Sequence, residues 1–130
     1  MNICIAGSRN INNVAIIQET VLKGLIRISL LTNTSLDKTN LNFVVGGAKG
    51  VDTIAEEIFN AEYKIIKIFP DWNKYGKRAG YKRNAEMIKI SDGLIVIWDG
   101  QSKGTKNTID LAIEKQIPIF VEIVKEKNES

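Results

Sequence analysis

Short apolar runs alternate along this chain with stretches in which apolar residues recur every three or four positions, so a strand-then-helix rhythm is expected throughout. Asn2 to Ala6 (NICIA) reads as a strand that stops at the polar turn Gly7-Ser8-Arg9. Val14, Ile17, Val21, Leu25 and Ile28 then fall at helical spacing, with Gly24 weakening that helix slightly. Thr32 to Asn40 is polar and turn-forming, a surface loop. Phe43 to Val45 is a buried strand, followed by the glycine-rich turn Gly46, Gly47, Ala48, Lys49, Gly50. Thr53 and Glu56 have capping-box spacing, so the next helix is expected to open near Asp52 or Thr53, with Ile54, Ala55, Ile58 and Phe59 on its inner face. Lys64 to Phe69 is a third strand, stopped by Pro70. Residues 71–80 are the least regular part, and a helix is expected from about Tyr81 to Ile90. Gly93 to Trp98 is almost wholly apolar, as in a strand covered on both faces. A second polar turn, 99–105, precedes a helix from about Lys106 to Gln116 and a last strand from Ile117 to Val124.

Such alternation predicts an α/β fold: one Rossmann-like domain over residues 1–124, with a mainly parallel sheet of about five strands and helices on both faces. Residues 125–130 form a charged tail, expected to fray. In this architecture ligands bind beyond the carboxyl ends of the strands, where the strand order reverses. The turns at 7–9, 46–52 and 99–105 all follow strand ends and would meet on that edge. Neither the G-x-G-x-x-G dinucleotide fingerprint nor a Walker A lysine motif is present.

Composition narrows the chemistry. With 130 residues, 44% hydrophobic and 25% charged, the chain has the makings of one globular domain. No apolar run approaches membrane-spanning length, and the first residues begin a strand, not a signal peptide. Cys4 is the single cysteine, which excludes an intrachain disulfide and fits a reducing cytoplasm. The absence of histidine removes Ser-His and Cys-His nucleophile pairs and the usual zinc sites; neither a metal nor a cofactor is expected. A net charge of +3 is mildly basic and does not by itself call for nucleic acid.

The candidate site follows from the turns. A glycine turn leading into a helix lets backbone N–H groups approach an anion such as phosphate, which singles out Gly46, Gly47, Ala48, Lys49 and Gly50, and likewise Gly100, Ser102, Gly104 and Thr105 with Asp99. Asp52 is either a helix cap or an acceptor for a ribose hydroxyl. Gly7, Ser8 and Arg9 either close a turn or line the pocket. Trp72 and Tyr75 either pack their loop onto the core or stack on a base. Lys74, Lys77, Arg78 and Lys82 are a solvated face or a basic lip for a nucleotide or a single strand.

Four segments together, Gly7-Ser8-Arg9, GGAKGVDTIAEE at 46–57, FPDWNKYGKRAGYKRNAEM at 69–87 and WDGQSKGTKNTIDLA at 98–112, resemble the YspA and YpsA-related branch of the SLOG superfamily. That superfamily includes the Lonely Guy phosphoribohydrolases, the DNA-processing protein A family and sensors of nucleotide signals in bacterial defence; small relatives of this branch are often phage-encoded. The resemblance implies a pocket for a nucleotide or ADP-ribose-like molecule, often in a homodimer. It places a phosphate-binding or catalytic arginine at Arg83, beside Asn84, and a phosphate-gripping pair at Gly104-Thr105. The glutamate that the hydrolases carry three residues further on is Thr108 here. A hydroxyl cannot stabilise oxocarbenium charge or activate water as a carboxylate does. Binding of a nucleotide-derived molecule for sequestration or sensing is therefore expected ahead of phosphoribohydrolase activity, with single-stranded DNA binding third.

Overall fold

The computed structural model describes residues 1–125, so the expected tail lies, Lys125 apart, outside the described residues. Among the described residues five strands form one sheet: β1 (Asn2–Gly7), β2 (Asn42–Val45), β3 (Lys64–Lys67), β4 (Gly93–Trp98) and β5 (Ile119–Ile123). Their order is β3-β2-β1-β4-β5 and every pair is parallel. Helices α1 (Val14–Thr32), α2 (Val51–Phe59), α3 (Trp72–Tyr75), α4 (Ala79–Lys89) and α5 (Lys103–Lys115) fill the crossovers, with one 3-10 turn at Gly76–Arg78. The fold is the expected α/β, Rossmann-like one.

Period-two alternation explains why the central strands are apolar throughout. Ile3 and Ile5 of β1, Phe43 and Val45 of β2, and Ile95 and Ile97 of β4 face the core shared with α1 and α2. Cys4, Ala6, Val44, Leu94 and Val96 face the other core, with Met87 and Ile88 of α4 and Ala112 of α5. Each such fully buried aliphatic side chain contributes roughly 1.5–3 kcal/mol relative to an exposed one. Burial pushes the Cys4 thiol far up from its ordinary range, which leaves it inert as a nucleophile. Gly24 proves useful to its helix: a Cβ there would lie 2.7 Å from Ile95 Cγ1, so the glycine lets α1 settle onto β4.

Several boundaries differ from the sequence expectation, each for a local reason. Helix α2 opens at Val51, and its cap residue Gly50 makes no side-chain cap. The capping box is not formed: Thr53 Oγ1 donates to Ala48 O at 2.8 Å, and Glu56 pairs with Lys67 of β3 at 2.8 Å. The supposedly irregular 71–80 stretch holds α3, whose first turn is capped by the Asp71 carboxylate accepting from Lys74 N. Ser102 caps α5 three residues earlier than expected, and β5 begins only at Ile119.

Strand order reverses between β1, which leads back to β2, and β4, which leads out to β5. Beyond the carboxyl ends of these two neighbours lies the crevice that such a sheet offers to ligands.

Candidate functional site

An inner cleft opens at that crevice, walled by Gly7, Arg9, Asp52, Arg83, Asn84 and the start of α5, and floored by Ala6 and Met87. Two further hollows adjoin it. One runs past Gly47, Lys49, Pro70 and Trp72, the other past Trp72, Lys77, Gly80 and Tyr81; both share Arg9 and Arg83 with the inner cleft.

In the 46–50 turn, two of the N–H groups expected to cradle a phosphate are already taken, while Ala48 lines the inner cleft and Gly47, Ala48 and Lys49 line one hollow. Gly46 N and Ala48 N donate to Asp52 Oδ2 at 3.1 and 3.3 Å, so the anion held there is the chain's own. Its glycines admit other parts of the same chain. A Cβ on Gly46 would lie 2.8 Å from Arg83 Cδ and Nη1, and one on Gly47 2.8 Å from Phe69 Cε1. At Gly50, where φ is +79°, it would meet Arg9 O at 2.6 Å and Ser8 O at 2.7 Å. Asp52 is not the helix cap, and its Oδ2 is spent on the turn. Its carboxyl is pushed up to about 6 by burial, against the pull of the two N–H donors and of Arg83 and Arg9.

Arg83 reaches into the cleft from α4. Its Nη1 donates to Gly46 O at 2.6 Å and its Nε to Asn84 Oδ1 at 2.9 Å, which fixes the guanidinium plane. Burial lowers its affinity for the proton and Asp52 restores part of it; an arginine remains charged regardless. Asn84, itself buried, donates from Nδ2 to Gly104 O at 3.3 Å and to Asn107 Oδ1 at 3.1 Å, tying α4 to the start of α5.

The second turn stays open. Asp99 Oδ1 accepts from Gln101 N and Ser102 N at 2.8 Å each, bonds that hold its carboxyl below the usual carboxylate range. Asp99 thus shapes the turn, and Gly100 (φ +81°) serves the turn too; neither lines the inner cleft. Ser102, Gly104 and Thr105 do line it, and a Cβ on Gly104 would meet nothing within 4 Å. The first turn of α5 therefore faces the cleft with the positive end of its dipole. Thr108 donates its hydroxyl to Gly104 O at 3.2 Å, an ordinary helical back-bond.

Of the remaining expected residues, Ser8 is fully buried and its Oγ accepts from Asp99 N at 2.9 Å, joining the first and third turns instead of meeting a ligand. Gly7 and Arg9 line the cleft, and Lys49 borders the outer hollow. Tyr75 lies off the inner cleft, on a further hollow with Phe69, Lys74, Lys82 and Glu86 that Arg83 also borders. Lys82 Nζ sits 4.6 Å and Lys74 Nζ 5.1 Å from its ring centroid, so its face is already taken. Trp72 is 52% exposed on the rim. Tyr81, 48% exposed on the same hollow, was missed by sequence reasoning. Its signal was an aromatic ring in the charged run KRAGYKRN, with no apolar residue three or four positions away except Ala85.

No protein-family profile matches the chain. Among characterised sequences it is similar to the Gene 61 protein of Mycobacterium phage D29, 33% identical over 86 residues that make up 59% of this chain and 67% of that protein. The chain belongs to the family of that phage protein. Among solved structures it is similar to DNA processing protein A from Helicobacter pylori, described for its single-stranded DNA binding mode. That likeness has a TM-score of 0.67 and 26% identity, and covers 100% of this chain and 68% of the other. DNA processing protein A from Streptococcus pneumoniae superposes with a TM-score of 0.69 at 22% identity over 98% of this chain and 52% of its own length, a likeness of fold. These neighbours have the SLOG-like fold, so the resemblance holds at that level. No described helix is long and apolar enough to cross a membrane.

Proposed function

We propose that this protein binds single-stranded DNA in the groove formed by the inner cleft and its two outer hollows. The carrying observation is the combination of shared cations and exposed rings: Arg9 and Arg83 run through all three depressions, and Trp72 and Tyr81 stand half-exposed along them. A basic track with aromatic platforms is what sequence-tolerant single-strand binding requires, since phosphates meet cations and every base offers a face to stack on. The Helicobacter pylori neighbour supports this choice of ligand. The order of expectations drawn from sequence is thereby reversed, because charge counted over the whole chain hid its concentration at one edge. The test is fluorescence anisotropy with a labelled single strand across a salt series. With Arg9, Lys49, Lys77 and Arg83 as the contacts, log affinity should fall with log salt at a slope of roughly −2 to −3, at about −0.7 per phosphate neutralised. A flat salt response, or equal affinity for duplex, would count against the groove.

One observation favours a second reading, binding of a nucleotide-derived small molecule for sequestration against nucleotide-based defence signalling. The inner cleft ends at the buried residues Ala6, Met87 and Thr108, so it has a floor that a continuous strand does not need. Detection of a co-purifying nucleotide by mass spectrometry would promote that reading. Hydrolysis of an N-glycosidic bond is the weakest reading. Thr108 is spent on Gly104 O, Asp99 lies off the inner cleft and Glu86 borders the Tyr75 hollow. The finer placement in the YspA and YpsA-related branch, the single 1–124 domain and a cytoplasmic site of action belong to the same proposal. So does a homodimer, supported by the outward face of α1, where Leu22, Ile26 and Leu30 are 47%, 64% and 73% exposed. Sedimentation of Ile26→Lys against the unaltered chain tests it.

A further inference from the structure

Asp52 is 5% exposed, and both hydrogen bonds it accepts end on the same oxygen, Oδ2. Its Oδ1 accepts from no group among the described residues, although the residue lines the inner cleft beside Arg83. The other buried polar side chains there are spent on neighbours: Asn84 on Gly104 O and Asn107, Thr105 on Ser102 Oγ, Thr108 on Gly104 O. No fully buried side-chain N or O among the described residues lacks a partner, so Oδ1 is open to the cleft, where a carboxylate oxygen has much to gain from a donor. An acceptor left over on the wall of a cleft is laid out for a donor that arrives with the ligand.

We propose that Asp52 Oδ1 is the ligand-reading acceptor of this site, taking a hydrogen bond from a neutral O–H or N–H group that lies next to a phosphate held by Arg83 and Arg9. The inference rests on the nucleotide-binding reading of the groove and deepens it. In single-stranded DNA the donor comes from a base edge, since an internal deoxynucleotide has no free hydroxyl. In a ribonucleotide it comes from the base or the sugar. A phosphate alone, or an abasic strand, satisfies the arginines and leaves Oδ1 empty.

The experiment is calorimetry on the full chain with five probes: inorganic phosphate, ribose 5-phosphate, 2′,3′-dideoxyadenosine monophosphate, a thymidine decamer and a decamer of tetrahydrofuran abasic units. Asp52→Asn can keep an amide oxygen on the two turn N–H groups and set an NH₂ where Oδ1 stood, so a donor then faces the ligand's donor. We expect this variant to bind the thymidine decamer and at least one of the two donor-bearing monophosphates about ten- to a hundredfold more weakly, as for a lost hydrogen bond to a charged group. Inorganic phosphate and the abasic strand should bind as well as before or better, because a negative charge has gone. Whichever of ribose 5-phosphate and the dideoxynucleotide loses affinity tells sugar hydroxyl from base edge. Equal loss for all five probes, or loss for none, overturns the proposal. Should the variant fail to fold, the wild-type series decides: equal affinity for phosphate and for both donor-bearing monophosphates overturns it, and a clear preference for either supports it. A wild-type protein that binds the monophosphates in the expected pattern but neither decamer leaves Asp52 in its role and removes the single-strand reading.

Discussion

The two glycine turns look alike in sequence and behave as opposites in the fold. Both follow a buried strand and lead into a helix. Residues 46–50 close on themselves: Asp52 takes the N–H groups of Gly46 and Ala48, and the room left by Gly46, Gly47 and Gly50 is filled by Arg83, Phe69 and the backbone of Ser8 and Arg9. The 99–105 turn is held from behind by Asp99 and leaves Gly104 facing empty space. Glycine marks a close approach in the first turn and open space in the second. The closed turn serves the open one by aiming Arg83, whose Nη1 rests on Gly46 O.

The largest expected effect separates the turns directly. Gly50→Val should cost several kcal/mol in chemical denaturation or prevent folding, since strain at positive φ alone costs about 1–3 kcal/mol and the new Cβ would also strike Arg9 O. Gly104→Val should shift the unfolding midpoint little and abolish most single-strand binding, because the new Cβ meets no atom within 4 Å and the side chain grows into the cleft. Loss of binding without loss of stability in Gly50→Val would invert the comparison.

Arg83 belongs to both turns, and its removal should weaken binding about ten- to a hundredfold, at 1.5–3 kcal/mol for a charge-assisted bond. Arg83→Lys should recover only part, because an ammonium cannot keep Gly46 O and offer a planar fork to phosphate together. A titration in which Arg83→Ala matches wild type while Lys49→Ala or Lys77→Ala destroys binding would move the contact surface to the rim. The rings on that rim come next. Trp72→Ala and Tyr81→Ala should each lose roughly 1–3 kcal/mol of stacking, whereas Tyr75→Ala should be nearly silent in the same anisotropy assay, its ring being already covered by Lys74 and Lys82.

The fold was largely legible because apolar period carries it: β1, β4 and α1 were readable from residues such as Ile3, Ile5, Ile95 and Ile97, which have no other use. The cleft beyond the strand ends was legible too, since strand ends and turn residues are local signals. Its wiring was not. Nothing in GGAKGVD says that the aspartate, not a ligand, takes the turn's N–H groups, because that bond depends on how α2 leaves Gly50. Ser8 and Tyr75 misled for the same reason. A polar or aromatic residue in a turn advertises a contact without saying with what, and here the contacts were Asp99 N and two lysines. Tyr81 was not legible because the sequence does not say which way a ring in the first turn of α4 faces.

The smallest expected effect is a pH dependence that runs through the closed turn and reads out in the open one. Asp52 titrates at about 6 in the folded protein against 3.8 as its ordinary value, with burial as the main cause. Between those values the folded chain binds more protons than the unfolded one, so this group's contribution to stability rises as pH falls from about 7 towards 4. Binding should follow the same direction for a donor-free ligand: protonation removes the negative charge that faces Arg83 and Arg9, and their pull on phosphate strengthens. The tetrahydrofuran decamer should therefore bind a few-fold tighter at pH 5 than at pH 7.5 at fixed ionic strength, a modest change because ions at the groove mouth screen it. Asp52→Asn should flatten that profile and hold it near the acid-side affinity. Were the profile of Asp52→Asn to keep the full slope, the titrating group would have to be sought elsewhere, and the closed turn would no longer be what sets the charge of the open one.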